Sequence, residues 1–171
     1  MLAVVAPVNA PRFEVDPFWP KPLPNDPETG KPWVTGEVAG SCVDSRDHIF
    51  TVNRGYNNGL VAPETVVAVP SPPVVEYDPH GNVVNAWGDA AILPNGVHGC
   101  FVDYQDNVWI AGNGDGIVQK YTRKGDWVKS WGEKGSGPGQ FNTPHAIAVD
   151  SNDRVYVGDR ENNRVQGFDR D

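Results

Sequence analysis

Two histidines and two arginines of this 171-residue chain stand at matched distances from a recurring aspartate. His98 and His145 each lie five residues ahead of the aspartate of a Val-Asp pair, Asp103 and Asp150, and Ala39 holds that place before Asp44. Arg54 and Arg160 each lie ten residues past such an aspartate, Asp44 and Asp150, with Asn113 at the matching place after Asp103. Neutral imidazoles approaching one axis can share a zinc ion at about 2 Å each, but a catalytic zinc takes three protein ligands and an open position. An arginine can hold a carboxylate by two parallel hydrogen bonds and stabilise negative charge developing beside a metal. On residue types alone the simpler alternatives stay open. The histidines would bond a neighbouring loop, and the arginines would form blade-to-blade salt bridges with Glu37, Asp159 or Glu161.

The elements that must position these groups come from an internal repeat. Ser41–Phe50, Cys100–Trp109 and Ile147–Tyr156 align without gaps. Each has an apolar strand ending in Val-Asp, two loop residues, a turn aspartate, and a second strand of alternating apolar residues. Such aspartates suit a tight hairpin turn, since their side chains bond the nearby backbone. A third strand follows at Val74–Tyr77, Ile117–Tyr121 and Arg164–Phe168. The first two copies add a fourth, Asn82–Trp87 and Asp126–Trp131, each ending Trp-Gly. Four short antiparallel strands per roughly 40–50 residues make the blade of a β-propeller.

The fold expected is therefore all-β, a propeller with about three four-stranded blades. Residues 1–32 hold eight of the 16 prolines and predict an extended lead segment, with Phe18 and Trp19 packing on the rim. Blade one spans 33–90 with an insertion near 56–70, blade two 91–140, and blade three 141–171 without its last strand. Propellers close with about four to eight blades, so three do not make a ring. The chain is expected to be a fragment of a six-bladed propeller, the alternative being two chains that complete one ring as a dimer.

The hairpin geometry gathers the candidate site. Equivalent positions on innermost strands point toward one channel, and an antiparallel second strand ends where the first began. His98, His145, Arg54 and Arg160 should then line one mouth. Asp44, Asp103 and Asp150 are expected to be structural, because all three repeats keep them. His48 and His80 should be solvated in outer turns, Trp87 and Trp131 should pack between blades, and Lys120–Lys129 should form a solvated basic face. The glycine-rich Gly132–Gly139 is a linker with no helix after it, which removes a phosphate-cradle reading. Cys42 and Cys100 lie two and three residues before their aspartates, so strand alternation predicts opposite faces and no disulfide.

Composition bounds the partners. The 19 glycines, 16 prolines and β-rich apolar set suit an all-β domain. A net charge of −8 argues against nucleic acid or an anionic membrane surface as partner and says little more. No stretch reaches the roughly 18 apolar residues of a membrane span. Met1–Ala10 is apolar without a basic start, a poor secretory signal unless it is the tail of one. Localisation stays open, with a secreted or periplasmic protein as one reading.

The third copy resembles an NHL repeat, through Gly139-Gln140-Phe141-Asn142-Thr143-Pro144-His145 and Gly158-Asp159-Arg160-Glu161-Asn162-Asn163-Arg164-Val165. Weaker versions of the pattern begin near residue 33. With Leu93-Pro94-Asn95-Gly96-Val97-His98 and Asn53-Arg54-Gly55, the chain is similar to the catalytic propeller of the peptidyl-α-hydroxyglycine α-amidating lyases. That resemblance implies a six-bladed ring with a catalytic zinc on three histidines, a structural calcium, and cleavage of the substrate into a peptide amide and glyoxylate. It assigns His98 and His145 to the zinc, and Arg54 and Arg160 to the active site. The family's third histidine lies in a later blade and its active-site tyrosine in a blade between the two histidine blades, which here are consecutive. A non-catalytic NHL propeller that binds a protein or peptide is the alternative.

Overall fold

The structure is a computed structural model that describes residues 11–55, 67–112 and 114–169. The apolar start, most of the expected insertion, and Asn113 lie outside the described residues. β2 (Val38–Val43), β3 (Ile49–Asn53), β5 (Val74–Tyr77) and β6 (Val83–Trp87) form one antiparallel sheet in that order. β7 (Val97–Val102), β8 (Val108–Gly112), β9 (Val118–Tyr121) and β10 (Trp127–Trp131) form a second of the same design. β13 (Pro144–Val149), β14 (Val155–Asp159) and β15 (Arg164–Phe168) form a third with three strands. These sheets are propeller blades. Short parallel pairs join β1 (Trp33–Val34) to β4 (Val69–Pro70) and β11 (Glu133–Lys134) to β12 (Gln140–Phe141).

The repeat aspartates build the hairpins. Asp44 Oδ1 accepts from the backbone N–H groups of Arg46 and His48 at 2.8 and 2.9 Å. Asp103 does the same for Gln105 and Asn107, and Asp150 for Asn152 and Arg154. The turn aspartates Asp47, Asp106 and Asp153 take φ of 61°, 63° and 65°, left-handed values that aspartate tolerates better than most residues.

The core lies between blades. In β8, Val108 and Ile110 pack with Phe50, Val52 and Val74 of blade one, while Trp109 and Ala111 pack with Phe141, Ile147, Val155 and Val157 of blade three. Side-chain alternation thus gives blade two a buried face on either side. Trp87 meets Tyr121 of blade two with ring centroids 5.2 Å apart, and Trp131 meets Phe168 of blade three at 6.4 Å. Both tryptophans pack between blades, as expected.

That packing overturns the reading of the cysteines. Cys42 and Cys100 form a disulfide between β2 and β7, with Cα atoms 5.7 Å apart, within the span that such a bond requires. Similarly oriented blades meet the front of one against the back of the next. Residues on opposite faces of their own sheets are therefore the ones that meet across an interface, and both cysteines pack against the same core cluster.

His48 also departs from expectation. Its Nδ1 lies 2.7 Å from the buried Glu76 carboxylate and 3.0 Å from a nitrogen of Arg123, whose guanidinium binds both Asp44 and Glu76 across the interface. Lys120 is partly covered rather than solvated, 3.4 Å from Asp103 and over the Trp109 ring. His80 is exposed as predicted. In the lead segment Trp19 stacks on Tyr77 at 5.7 Å, whereas Phe18 stays 74% exposed. No helix among the described residues is long and apolar enough to cross a membrane.

Candidate functional site

The innermost strands carry one irregularity at the same place in every blade. Between the pairs Val38↔Asn53 and Gly40↔Val52, Ala39 is an extra residue on β2. Between Val97↔Gly112 and Cys100↔Ile110, His98 and Gly99 stand opposite Ala111 alone. Between Pro144↔Asp159 and Ala146↔Gly158, His145 is the extra residue on β13. A bulge bends its strand and re-aims a side chain. Both histidines are thereby turned out of the regular alternation.

Glycines bring the bulges together. A Cβ on Gly40 would lie 2.1 Å from the His98 carbonyl oxygen, and one on Gly99 would lie 2.5 Å from that of His145. Only glycine admits such a close approach by the backbone of the next blade. The outcome is that the His98 and His145 rings nearly touch, with centroids 3.4 Å apart and planes tilted by 38°. The glycine following His98 was the available signal for this approach.

The arginines reach the same mouth. Arg54 follows β3 and donates from Nε to the Val97 carbonyl at 2.8 Å, one residue before His98. Its backbone N–H bonds Glu37. Arg160 opens a single turn of 3-10 helix, Arg160–Asn162, and its backbone N–H donates to the Thr143 carbonyl two residues before His145. Each arginine also has a carboxylate partner. Arg54 Nη1 lies 3.0 Å from Glu37 Oε1, and Arg160 Nε lies 2.8 Å from Glu161 Oε1. Asp159 pairs instead with Arg164 at 2.9 Å. Each pair lies within a single blade, so neither is the blade-to-blade bridge expected as the alternative. Arg54 Nη2 is buried and has no hydrogen-bond partner among the described residues.

The electrostatics keep both imidazoles neutral. Burial lowers the His98 pKa first, followed by its coupling to the His145 ring and the positive charges of Arg54 and Arg160, while Glu37 opposes them. His145 is lowered by burial and then by Arg160 and Arg54. A neutral imidazole is the metal-ligating form. Among the described residues no group of three His, Cys, Asp or Glu side chains could hold a metal ion, so this chain brings two histidine donors together.

Residues 141–168 form an NHL repeat. NHL repeat-containing protein 3 of Homo sapiens is 27% identical over 140 residues, covering 75% of this chain and 40% of that protein. Peptidylglycine alpha-amidating monooxygenase of Rattus norvegicus is 47% identical over 60 residues, covering 32% of the chain and 6% of that protein. A streptogramin B lyase structure superposes with a TM-score of 0.53 at 12% identity, over 79% of this chain and 41% of that one. It shares the propeller fold. The chain spans less than half the length of each of these relatives.

Proposed function

We propose that the NHL propeller containing this chain is a zinc-dependent lyase that cleaves the C–N bond of a peptidyl-α-hydroxyglycine. The observation that carries this reading is the apposition of His98 and His145 on matched bulges, 3.4 Å between ring centroids, with two arginines at the same mouth. Similarity to the amidating monooxygenase, whose family contains such a lyase propeller, supports it. In this reaction the substrate hydroxyl loses its proton, its electron pair forms the carbonyl of glyoxylate, and the amide nitrogen leaves with a proton.

His98 and His145 would contribute two of three protein ligands, the third coming from another blade. Bound zinc would supply a Lewis acid that lowers the hydroxyl pKa. Arg54 and Arg160 would hold the substrate carboxylate and orient its reacting carbon between the histidine blades. Their positive charge favours neutral imidazoles, so ligand competence should persist to mildly acidic pH.

The test is elemental analysis of the intact protein, wild type against His98→Ala/His145→Ala. About one zinc per wild-type chain and its loss in the double variant are expected. Zinc absent from the wild type, or unchanged in the variant, rejects the reading. A protein- or peptide-binding propeller is the second reading. It is favoured by a separate cleft of about 330 Å³ between blades two and three, walled by Trp109, Trp131, Val155 and Phe168.

A further inference from the structure

Both arginines at the histidine mouth hold a glutamate from their own blade. Glu37 precedes β2 and Glu161 lies in the turn after β14, so the two carboxylates come from unrelated places in the repeat. Their side chains are 54% and 51% exposed, whereas that of Arg54 is only 18% exposed. An exposed ion pair contributes little net stability, because both charges are well hydrated when apart. Arg54 is meanwhile held by its Nε–Val97 hydrogen bond, and its buried Nη2 has no partner among the described residues. Glu37 can therefore swing into solvent while the guanidinium stays aimed at the site.

We infer that Glu37 and Glu161 are resident substitutes for the ligand's carboxylate, occupying Arg54 and Arg160 until an incoming carboxylate displaces them. This rests on the lyase reading, in that the carboxylate bound by the arginines belongs to its substrate or product. The exchange involves no covalent step: one carboxylate leaves a guanidinium and another takes its place. It makes the two glutamates affinity-setting residues. They keep the arginines paired in the free protein, and each adds a like charge that the ligand must push aside.

The experiment is titration of the full chain with glyoxylate, followed by calorimetry and by the NMR shifts of the two arginine side chains. Glu37→Gln and Glu161→Gln keep the size of each side chain and remove its charge. Each is expected to tighten glyoxylate binding about twofold to fivefold, the range an exposed ion pair allows. Arg54→Lys and Arg160→Lys, which retain charge but lose the two-point fork, should weaken it. Arginine-dependent binding that both glutamine variants leave unchanged overturns the inference and spares the lyase reading. Glutamate-sensitive binding in a protein whose zinc content ignores His98 and His145 rejects the lyase reading and spares the exchange. No glyoxylate-dependent shift at either arginine, in wild type or glutamine variants, overturns the inference as well.

Discussion

A carboxylate that caps a turn and also faces a neighbouring guanidinium is worth more than a turn former. Burial pushes the Asp44 carboxyl up, but the Arg123 guanidinium and the backbone N–H groups of His48 and Arg46 outweigh it and hold the pKa at about 2. An aspartate of an unfolded chain titrates near 3.9. Because the folded value is the lower one, ionised Asp44 stabilises the fold above about pH 4, and that contribution is lost as pH falls from about 4 toward 2. Urea unfolding of the wild type should lose stability through this window. Asp44→Asn should be less stable at neutral pH and flatter across the same range, and parallel pH profiles for the two proteins would reject the assignment. The structural role of this aspartate was legible in its three-fold recurrence. Its charge partner was not, because Arg123 is 79 residues away and belongs to another blade.

Blades adhere through matched backbones as much as through side chains. The inner strand of blade two comes so close to blade three at Gly99 that a methyl group would strike the backbone of His145 and Ala146. Gly99→Ala must therefore separate the two inner strands, at about 1–3 kcal/mol of overpacking cost. His98 and His145 should move apart with them. The expected readout is loss of the influence of His145 on the His98 imidazole titration, alongside a lower unfolding midpoint. Unchanged histidine titrations would show that the glycine does not set their spacing. On the opposite rim Arg123 bridges Asp44 and Glu76, both buried. Arg123→Met removes the cation shared by two buried carboxylates, leaving Glu76 with His48 and Asp44 with the more distant Arg46, and should cost up to about 3–5 kcal/mol. Combining it with Glu76→Gln should recover part of that loss, and additive losses would argue against coupling. The repeat register made the strands and the shared mouth readable in advance. The bulges were not readable, since an extra residue on one strand leaves no mark in a sequence that repeats it in every blade.

Across the whole arc the two blade interfaces are not equally secured. The first has the Arg123 bridge and the Cys42–Cys100 disulfide, which uses both cysteines of the chain, while among the described residues the second is joined by hydrogen bonds such as Tyr104 Oη to Asp153 Oδ1 at 2.6 Å. The alternation argument failed for these residues because it treated a blade as a lone sheet, whereas face-to-back stacking joins opposite faces. The crosslink spans a sequence separation of 58, and chain entropy assigns about 4 kcal/mol to a loop of that size. A bond of this kind persists in an oxidising compartment, which supports export as a proposal. Of the two interfaces in this chain, the uncrosslinked one between blades two and three should open first. Hydrogen exchange is expected to release the amides of β13–β15 before those of β2–β9 in the oxidised protein. Reduction, or Cys42→Ser/Cys100→Ser, should lower the unfolding midpoint and bring the β2–β9 amides closer to the β13–β15 rates. If reduction leaves both the midpoint and the order of exchange unchanged, the crosslink does not govern how the arc comes apart. If it erases the order, the first interface owes its greater stability to this single bond more than to the Arg123 bridge beside it.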